Sequence, residues 1–273
     1  LGEFKKIMKN ISELDLMLFE VSLDGALSVL PYGISNFMLD WEFIGKHERQ
    51  DGYDTEIAPV DVHLLSAIAR IPETQTWCRI NRYGSYTVNE IELAIDAGVN
   101  GIYLPMVTSP MEVEYFLRHV NGRSEVGILV ETQAALDCIK DLSNFALDRV
   151  YFGLNDFAIS RGGGSIFRAL LDGSVECARE AFGETKFGFG GITAVDAGLP
   201  VPCVYLIEEM ERLDCQFSFL RRTYRADVTR VGASELINGV QSYWQKCLAR
   251  NDGEVKHDRY MLERLLNVVC SNA

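Results

Sequence analysis

Several features are missing from this sequence, and each absence narrows what it can be. No run approaches the ~20 apolar residues that a bilayer span requires. Near its beginning, Glu13, Asp15 and Glu20 interrupt any signal-like apolar stretch. Basic charge is in deficit, with 26 Lys and Arg against 39 Asp and Glu and a formal net charge of −13. That balance argues against nucleic acid as the main partner, because phosphate binding needs basic surface. There is no C-x-x-C pair. The seven cysteines (Cys78, Cys138, Cys177, Cys203, Cys215, Cys247 and Cys270) are odd in number and scattered, mostly through apolar segments. They suit reduced thiols in the cytoplasm better than a disulfide framework or a zinc knuckle. No Ser/His/Asp or Cys/His arrangement can be read from spacing. His47, His63, His119 and His257 read as surface or packing residues. No linker splits the 273 residues, which are 48% hydrophobic and 24% charged, so a single globular domain over 1–273 is expected.

What is present is alternation. Short β-branched, aromatic and leucine-rich runs recur at 16–21, 36–41, 76–80, 101–105, 126–130, 149–153, 186–192 and 216–220. Helical periodicity fills the intervals. Thr87-Val-Asn-Glu90 reads as a capping box, with Gly98 as the stop of that helix. Ser109-Pro-Met-Glu112 reads as a second box, and Thr132 as the cap of a third helix. From Arg79 to Pro105 to Glu131 to Asp156 the steps are 26, 26 and 25 residues, each long enough for one strand, one helix and two turns. Eight such units predict an α/β protein built as a closed parallel (β/α)8 TIM barrel. A doubly wound open sheet would advertise a glycine-rich phosphate loop after its first strand, where VSLDGALS stands instead. Two amphipathic helices end the chain, placed either to close the barrel or to pack on a neighbouring subunit.

A parallel barrel presents all its strand C-termini on one face, where active sites are built. Those ends carry Glu20, Asp40 with Glu42, Arg79, Pro105 with Met106, Glu131, Asp156, Gly190 with Gly191, and Arg221 with Arg222, although the strand bodies are apolar. Glu131 and Asp156 end neighbouring strands roughly 4.8 Å apart. Two carboxylates that close repel unless one is protonated or a cation lies between them. Oxygen donors favour Mg²⁺ or Mn²⁺ over Zn²⁺. The alternative is that both carboxylates pair with Arg79 or Arg221 and tie the rim together. Arg79 offers a planar, always-charged fork to an enolate or carboxylate oxygen, and a salt bridge to Asp40 or Glu42 is compatible with that role. Gly153 allows close backbone approach, and the N–H groups of Asn155 and Asp156 open a helical turn suited to a substrate carboxylate. RGGGS at 161–165 reads as a surface loop. The arginines 221, 222, 225 and 230 could grip a phosphate or coenzyme A tail, or make subunit salt bridges.

At MLDWE (38–42), WCRINRYG (77–84), GVNGIYLPMVTSPMEVE (98–114), ILVET (128–132) and YFGLNDFA (151–158) the sequence resembles the HpcH/HpaI aldolase and citrate lyase family, within the phosphoenolpyruvate/pyruvate-binding barrel superfamily. The resemblance covers roughly the middle half of the chain. It implies a divalent metal on Glu131 and Asp156, an enolate-stabilising Arg79, a pyruvate-like carboxylate at the backbone of Asn155 and Asp156, and a trimer or hexamer. The aldolase branch typically reads D-x-E-H after its second strand, whereas here Asp40-Trp-Glu42 precedes Phe43. A metal-bound water, Glu42 or His47 is then left as the acid/base. Two functions are expected from this: a metal-dependent carbon–carbon lyase acting through a pyruvate- or acetyl-type enolate, with an acyl-coenzyme A lyase as a variant, or a barrel that binds a keto acid or phosphoenolpyruvate without turnover.

Overall fold

A computed structural model describes residues 13–20, 22–42, 61–221 and 223–271. Phe43, His47 and Arg222 lie outside the described residues. The chain alternates strand and helix as its periodicity predicts. β1 (Asp15–Phe19) leads to α1 (Leu23–Val29), and β2 (Asn36–Asp40) precedes α2 (Val62–Ala69). β3 (Gln75–Arg79) is followed by α3 (Thr87–Ala97), and β4 (Gly101–Leu104) by α4 (Pro110–Val120). After β5 (Glu125–Val130) the helical segment breaks at Cys138 into α5 (Gln133–Asp137) and α6 (Ile139–Leu142). β6 (Arg149–Phe152) is followed by α7 (Leu154–Ser160), α8 (Arg168–Leu171) and α9 (Ser174–Phe182). β7 (Lys186–Phe189) then leads to α10 (Cys203–Arg212), and β8 (Phe217–Leu220) to α11 (Tyr224–Val231). Finally come α12 (Ala233–Leu248) and α13 (Asp252–Ser271).

All seven ladders are parallel, in the order β7-β6-β5-β4-β3-β2-β1-β8. The ring closes between β7 and β8 through few bonds. Gln216 N–H donates to Phe187 O at 3.0 Å, and Ile192 N–H to Phe219 O at 3.0 Å, beside a single parallel bridge between Ile192 and Leu220. The result is the eight-stranded barrel expected from the sequence.

The period of two sorts each strand into an inner and an outer face. Met17, Met38, Trp77, Tyr103, Leu129, Tyr151, Phe217 and Phe219 fill the interior as one buried cluster. Their strand neighbours, among them Leu16, Phe37, Cys78, Ile128, Phe152 and Phe187, join the larger core under the helices. The interior is packed by pairing rings with glycines. A Cβ on Gly101 would come within 2.4 Å of the Trp77 ring, and one on Gly127 within 2.4 Å of the Tyr103 ring. At the N-terminal end, Arg149 donates to Asp15 at 2.9 Å and Asn36 donates to the same carboxylate at 2.5 Å. Arg149 also lies over Trp77 and Phe217, sealing the floor.

Two helix starts differ from expectation. The Thr87–Glu90 box does not form: Tyr86 holds the cap position, Thr87 Oγ1 accepts from Gly84 N–H, and Glu90 accepts from the N–H and Nδ2 of buried Asn81. A buried amide without partners costs more than a helix-end N–H left to water, so Glu90 serves Asn81. At α4, Ser109 is the cap residue, but Glu112 reaches one residue further back, to the N–H and hydroxyl of Thr108. Thr132 caps α5 as expected, accepting from Ala135 N–H, and Gly98 ends α3 at φ +87°.

The last two helices pack on the barrel's own helical layer. Gln241 of α12 bonds both backbone groups of Leu14, at 3.0 and 2.8 Å. Arg259 of α13 pairs with Glu209 of α10 at 2.7 Å, and Arg250 joins Glu211 and Asp258 at 2.7 and 2.8 Å. All seven cysteines are free thiols, five of them buried. Among the described residues no helix is long and apolar enough to cross a membrane.

Gly101→Val should destabilise the barrel by about 3 kcal/mol, the upper range for overpacking. Trp77→Leu in the same chain should recover part of that loss. Urea unfolding of both proteins checks this; equal stability of Gly101→Val and the parent would show that the ring–glycine fit is not tight.

Candidate active site at the C-terminal mouth

The inward register that places Met17, Met38 and Trp77 inside the barrel carries Phe19, Asp40 and Arg79 to the top of the same face. Arg79 is held as a fork against a fork: its Nε donates to Asp40 Oδ1 at 2.9 Å and its Nη2 to Oδ2 at 2.7 Å. Its Nη1 lies 3.5 Å from Glu42 Oε2, and its guanidinium stands over the Phe19 ring at 5.2 Å. Only 11% of the Arg79 side chain and 1% of the Glu42 side chain are exposed. Burial works against the charge on Arg79, but the Asp40 and Glu42 carboxylates outweigh it and keep the guanidinium firmly protonated. Both salt bridges considered from sequence are present, and Arg82 beyond them is exposed.

Glu131 directly follows β5 and is buried. Its Oε1 accepts from Met106 N–H at 2.8 Å. Met106 has a left-handed backbone, φ +52°, rare for a non-glycine residue. Such conformations persist where the surroundings over-determine them. Here the turn after β4 directs a peptide N–H at the carboxylate, while Thr132 Oγ1 donates to Val107 O at 2.6 Å and ties that turn to β5. Sequence reading noted Met106 at a strand end but carried no signal for this donor, since nothing in a methionine announces a positive φ.

At Gly153 a neighbouring side chain uses the space that the glycine leaves. A Cβ there would stand 2.6 Å from Glu131 Oε2 and 3.0 Å from its Cβ, so the missing side chain makes room for Glu131. Gly153 is also the N-terminal cap residue of α7, without a side-chain cap bond, and Asn155 and buried Asp156 fall in the first turn as expected. Burial first, then the charges of Asp156 and Glu42, push the Glu131 carboxyl up to about 8, against the pull of Arg79 and the Met106 N–H. The crowding of like charge foreseen between Glu131 and Asp156 thus includes Glu42 as a third contributor. Among the described residues no group of three or more His, Cys, Asp and Glu side chains assembles as a metal cage.

The remaining rim residues separate. Glu20 turns toward α1, accepting from the N–H and hydroxyl of Ser22, in space left by the absent side chain of Gly25. It also pairs with Arg225 at 3.3 Å. Arg230 is held by Asp196 and Asp227 at 2.7 and 3.1 Å. These two arginines are engaged within the chain, and Arg221 bonds Thr223 through Nε at 3.2 Å.

The fold and mouth define a (β/α)8 barrel whose polar groups converge on a guanidinium and buried carboxylates. Solved structures share that architecture. An HpcH/HpaI aldolase from Desulfitobacterium hafniense DCB-2 superposes with a TM-score of 0.59 at 16% identity, covering 83% of this chain and 95% of that one. A citrate lyase from Burkholderia xenovorans LB400 gives 0.59 at 14%, covering 96% and 84%. The citrate synthase SbnG gives 0.59 at 16%, covering 85% and 96%. At these identities the likeness is one of fold. No family model matches the sequence, and no curated protein matches it.

Glu131 generates a pH prediction. Its proton leaves near 4.5 in the unfolded chain and near 8 in the folded one. Between those values the folded state binds the extra proton, so this stabilisation is complete below about pH 4.5 and is lost as pH rises toward 8. Thermal unfolding in a chelator should show the parent falling relative to Glu131→Gln across that window. Parallel curves would contradict the burial of an ionisable carboxyl here.

Proposed function

We propose that this barrel is a carbon–carbon lyase of the HpcH/HpaI aldolase and citrate lyase type, acting on a keto acid through a pyruvate- or acetyl-type enolate. The observation that carries the reading is the enclosure of Arg79, Glu131 and Asp156 together at the strand C-termini, with Glu131 crowded by like charge. That donor set suits a hard divalent cation: two buried carboxylates provide oxygen ligands, and water and a chelating keto acid can complete the shell. Glu131 and Asp156 would hold Mg²⁺ or Mn²⁺. When bound, the ion supplies Lewis-acid polarisation of the substrate carbonyl.

The chain's own residues supply the rest of the proposed chemistry. Arg79, locked by Asp40, stabilises the oxyanion without reorganising, an effect of ~3 kcal/mol if it behaves as a single preorganised donor. Asp40 cannot leave that fork without freeing a guanidinium in an enclosed space, so the pair acts as one rigid part. The backbone N–H groups of Asn155 and Asp156, opened by Gly153, receive the substrate carboxylate. Glu42 lies beside Arg79 and serves as the acid/base in place of the histidine that Phe43 replaces. An acyl-coenzyme A thioester is the variant substrate, and a homotrimer or homohexamer the expected assembly.

Titration calorimetry with Mg²⁺ or Mn²⁺ and oxalate tests the assignment. Binding of oxalate should require the metal, and Glu131→Ala should abolish that metal-dependent binding or weaken it by at least tenfold. Unchanged metal-dependent binding in Glu131→Ala would refute the ligand set. A second reading, binding without turnover, is favoured by Phe43 at the position of the family's histidine. Deuterium exchange into the methyl group of pyruvate distinguishes the two: exchange supports the lyase, and clear binding without exchange supports the binding protein.

A further inference from the structure

The barrel carries a second polar assembly at the end opposite the candidate active site. Strand alternation puts Asp15 on the inward face with Met17, Asn36 with Met38, and Arg149 with Tyr151, while Trp77 and Tyr103 are themselves part of the interior cluster. Part of this floor is satisfied within the chain. Arg149 Nη1 donates to Asp15 Oδ2 at 2.9 Å, and Asn36 Nδ2 donates to Asp15 Oδ1 at 2.5 Å. Around that pair, four buried polar atoms have no hydrogen-bond partner among the described residues: Arg149 Nε, Trp77 Nε1, Asn36 Oδ1 and the Tyr103 hydroxyl. Arg149 is 5% exposed, and Trp77 and Tyr103 are fully enclosed.

These groups adjoin one another. The Arg149 guanidinium stands 4.8 Å from the centre of the Trp77 ring, and the Trp77 and Tyr103 rings are 4.8 Å apart. Asn36 joins them through the shared Asp15 carboxylate. Burial pushes the Tyr103 hydroxyl well above its ordinary range; Arg149 pulls it back, and Asp15 and Glu125 push it further. All three charges lie at strand starts, so the hydroxyl belongs to the floor. The Asn36 amide has a defined orientation, because turning it over would set Oδ1 against the Asp15 carboxylate.

Buried polar atoms are costly to leave unpaired, and native interiors rarely hold four together. Charge decides what can serve them. Arg149 and Asp15 already neutralise each other, so an ion would enter without compensation. An anion would meet Asn36 Oδ1, and a cation would meet the N–H groups of Arg149 and Trp77. The four atoms comprise two donors, one acceptor and one hydroxyl able to do either. Water accepts two hydrogen bonds and donates two, and a buried water usually makes about three. We infer that the barrel floor is a binding site for ordered water, held by Arg149, Trp77, Asn36 and Tyr103. The water completes the plug formed by Arg149 and Asp15, and it links β2, β3, β4 and β6 through side chains that make no direct hydrogen bond to it otherwise shared.

A high-resolution crystal structure of the full chain tests the site directly. Density should appear within hydrogen-bond distance of at least two of the four atoms; a dry floor overturns the inference. Crystals soaked in bromide test the neutral character of the ligand, since an anomalous peak beside Arg149 would show an anion site and overturn it. Tyr103→Phe keeps the ring that fills the space at Gly127 and removes only the hydroxyl. If water bonds that hydroxyl, the folding equilibrium constant from urea unfolding should fall about fivefold, the scale of one net hydrogen bond. If the hydroxyl is unpaired, its removal relieves a penalty, so an unchanged or larger constant counts against the site. Should Tyr103→Phe not fold, the crystal structure of the parent decides.

Discussion

The site is organised by the confinement of negative charge beside a fixed positive one. Glu131, Asp156 and Glu42 are buried at one end of the barrel, and three carboxylates cannot all be ionised there without compensation. Arg79 supplies part of it, but its fork is already committed to Asp40. Burial first, and then the remaining like charge of Asp156 and Glu42, displace the Glu131 carboxyl upward. A proton relieves that crowding of charge, and so does a hard cation with a chelating anion. The same crowding thus links the resting protonation state to the proposed ligand.

That tension is sustained by packing below it. Trp77 and Tyr103 occupy space left by Gly101 and Gly127, and the Arg149–Asp15–Asn36 floor closes the far end. With the interior filled by rings, the strands cannot collapse inward to let the carboxylates turn away. Gly153 applies the same device at the mouth, where its missing Cβ is occupied by the Glu131 side chain. Gly101 and Gly127 serve fit between neighbouring strands, and at Gly153 that fit sets the position of the Glu131 carboxylate.

The C-terminal helices contribute rigidity of another kind. Arg212 and Arg259 share Glu209, and Arg250 holds Glu211 and Asp258, in contacts mostly shielded from water. Removing one member would leave a charge poorly compensated, so the network ties α13 to α10 in one arrangement. α10 follows β7, and its attachment steadies the side of the mouth where Gly190, Gly191 and Arg221 lie.

Local pattern was enough to read the strands, the regular spacing and the polar residues at strand ends, because the periods of two and 3.6 are written into neighbouring positions. The caps at Thr132 and Gly98 were legible for the same reason. The boxes at Thr87 and Ser109 were misread, because buried Asn81 and the neighbouring Thr108 claimed the carboxylates that short-range rules assign to the helix end. Only the closed barrel decided that Asp40 would clamp Arg79, that a left-handed Met106 would aim its N–H at Glu131, and that Gly153 would be vacated for that carboxylate. The sequence determined by itself which residues face inward at each strand's end. Which of them meet, and with what charge, was set by the tertiary structure, since such contacts join strands distant along the chain and depend on shared burial.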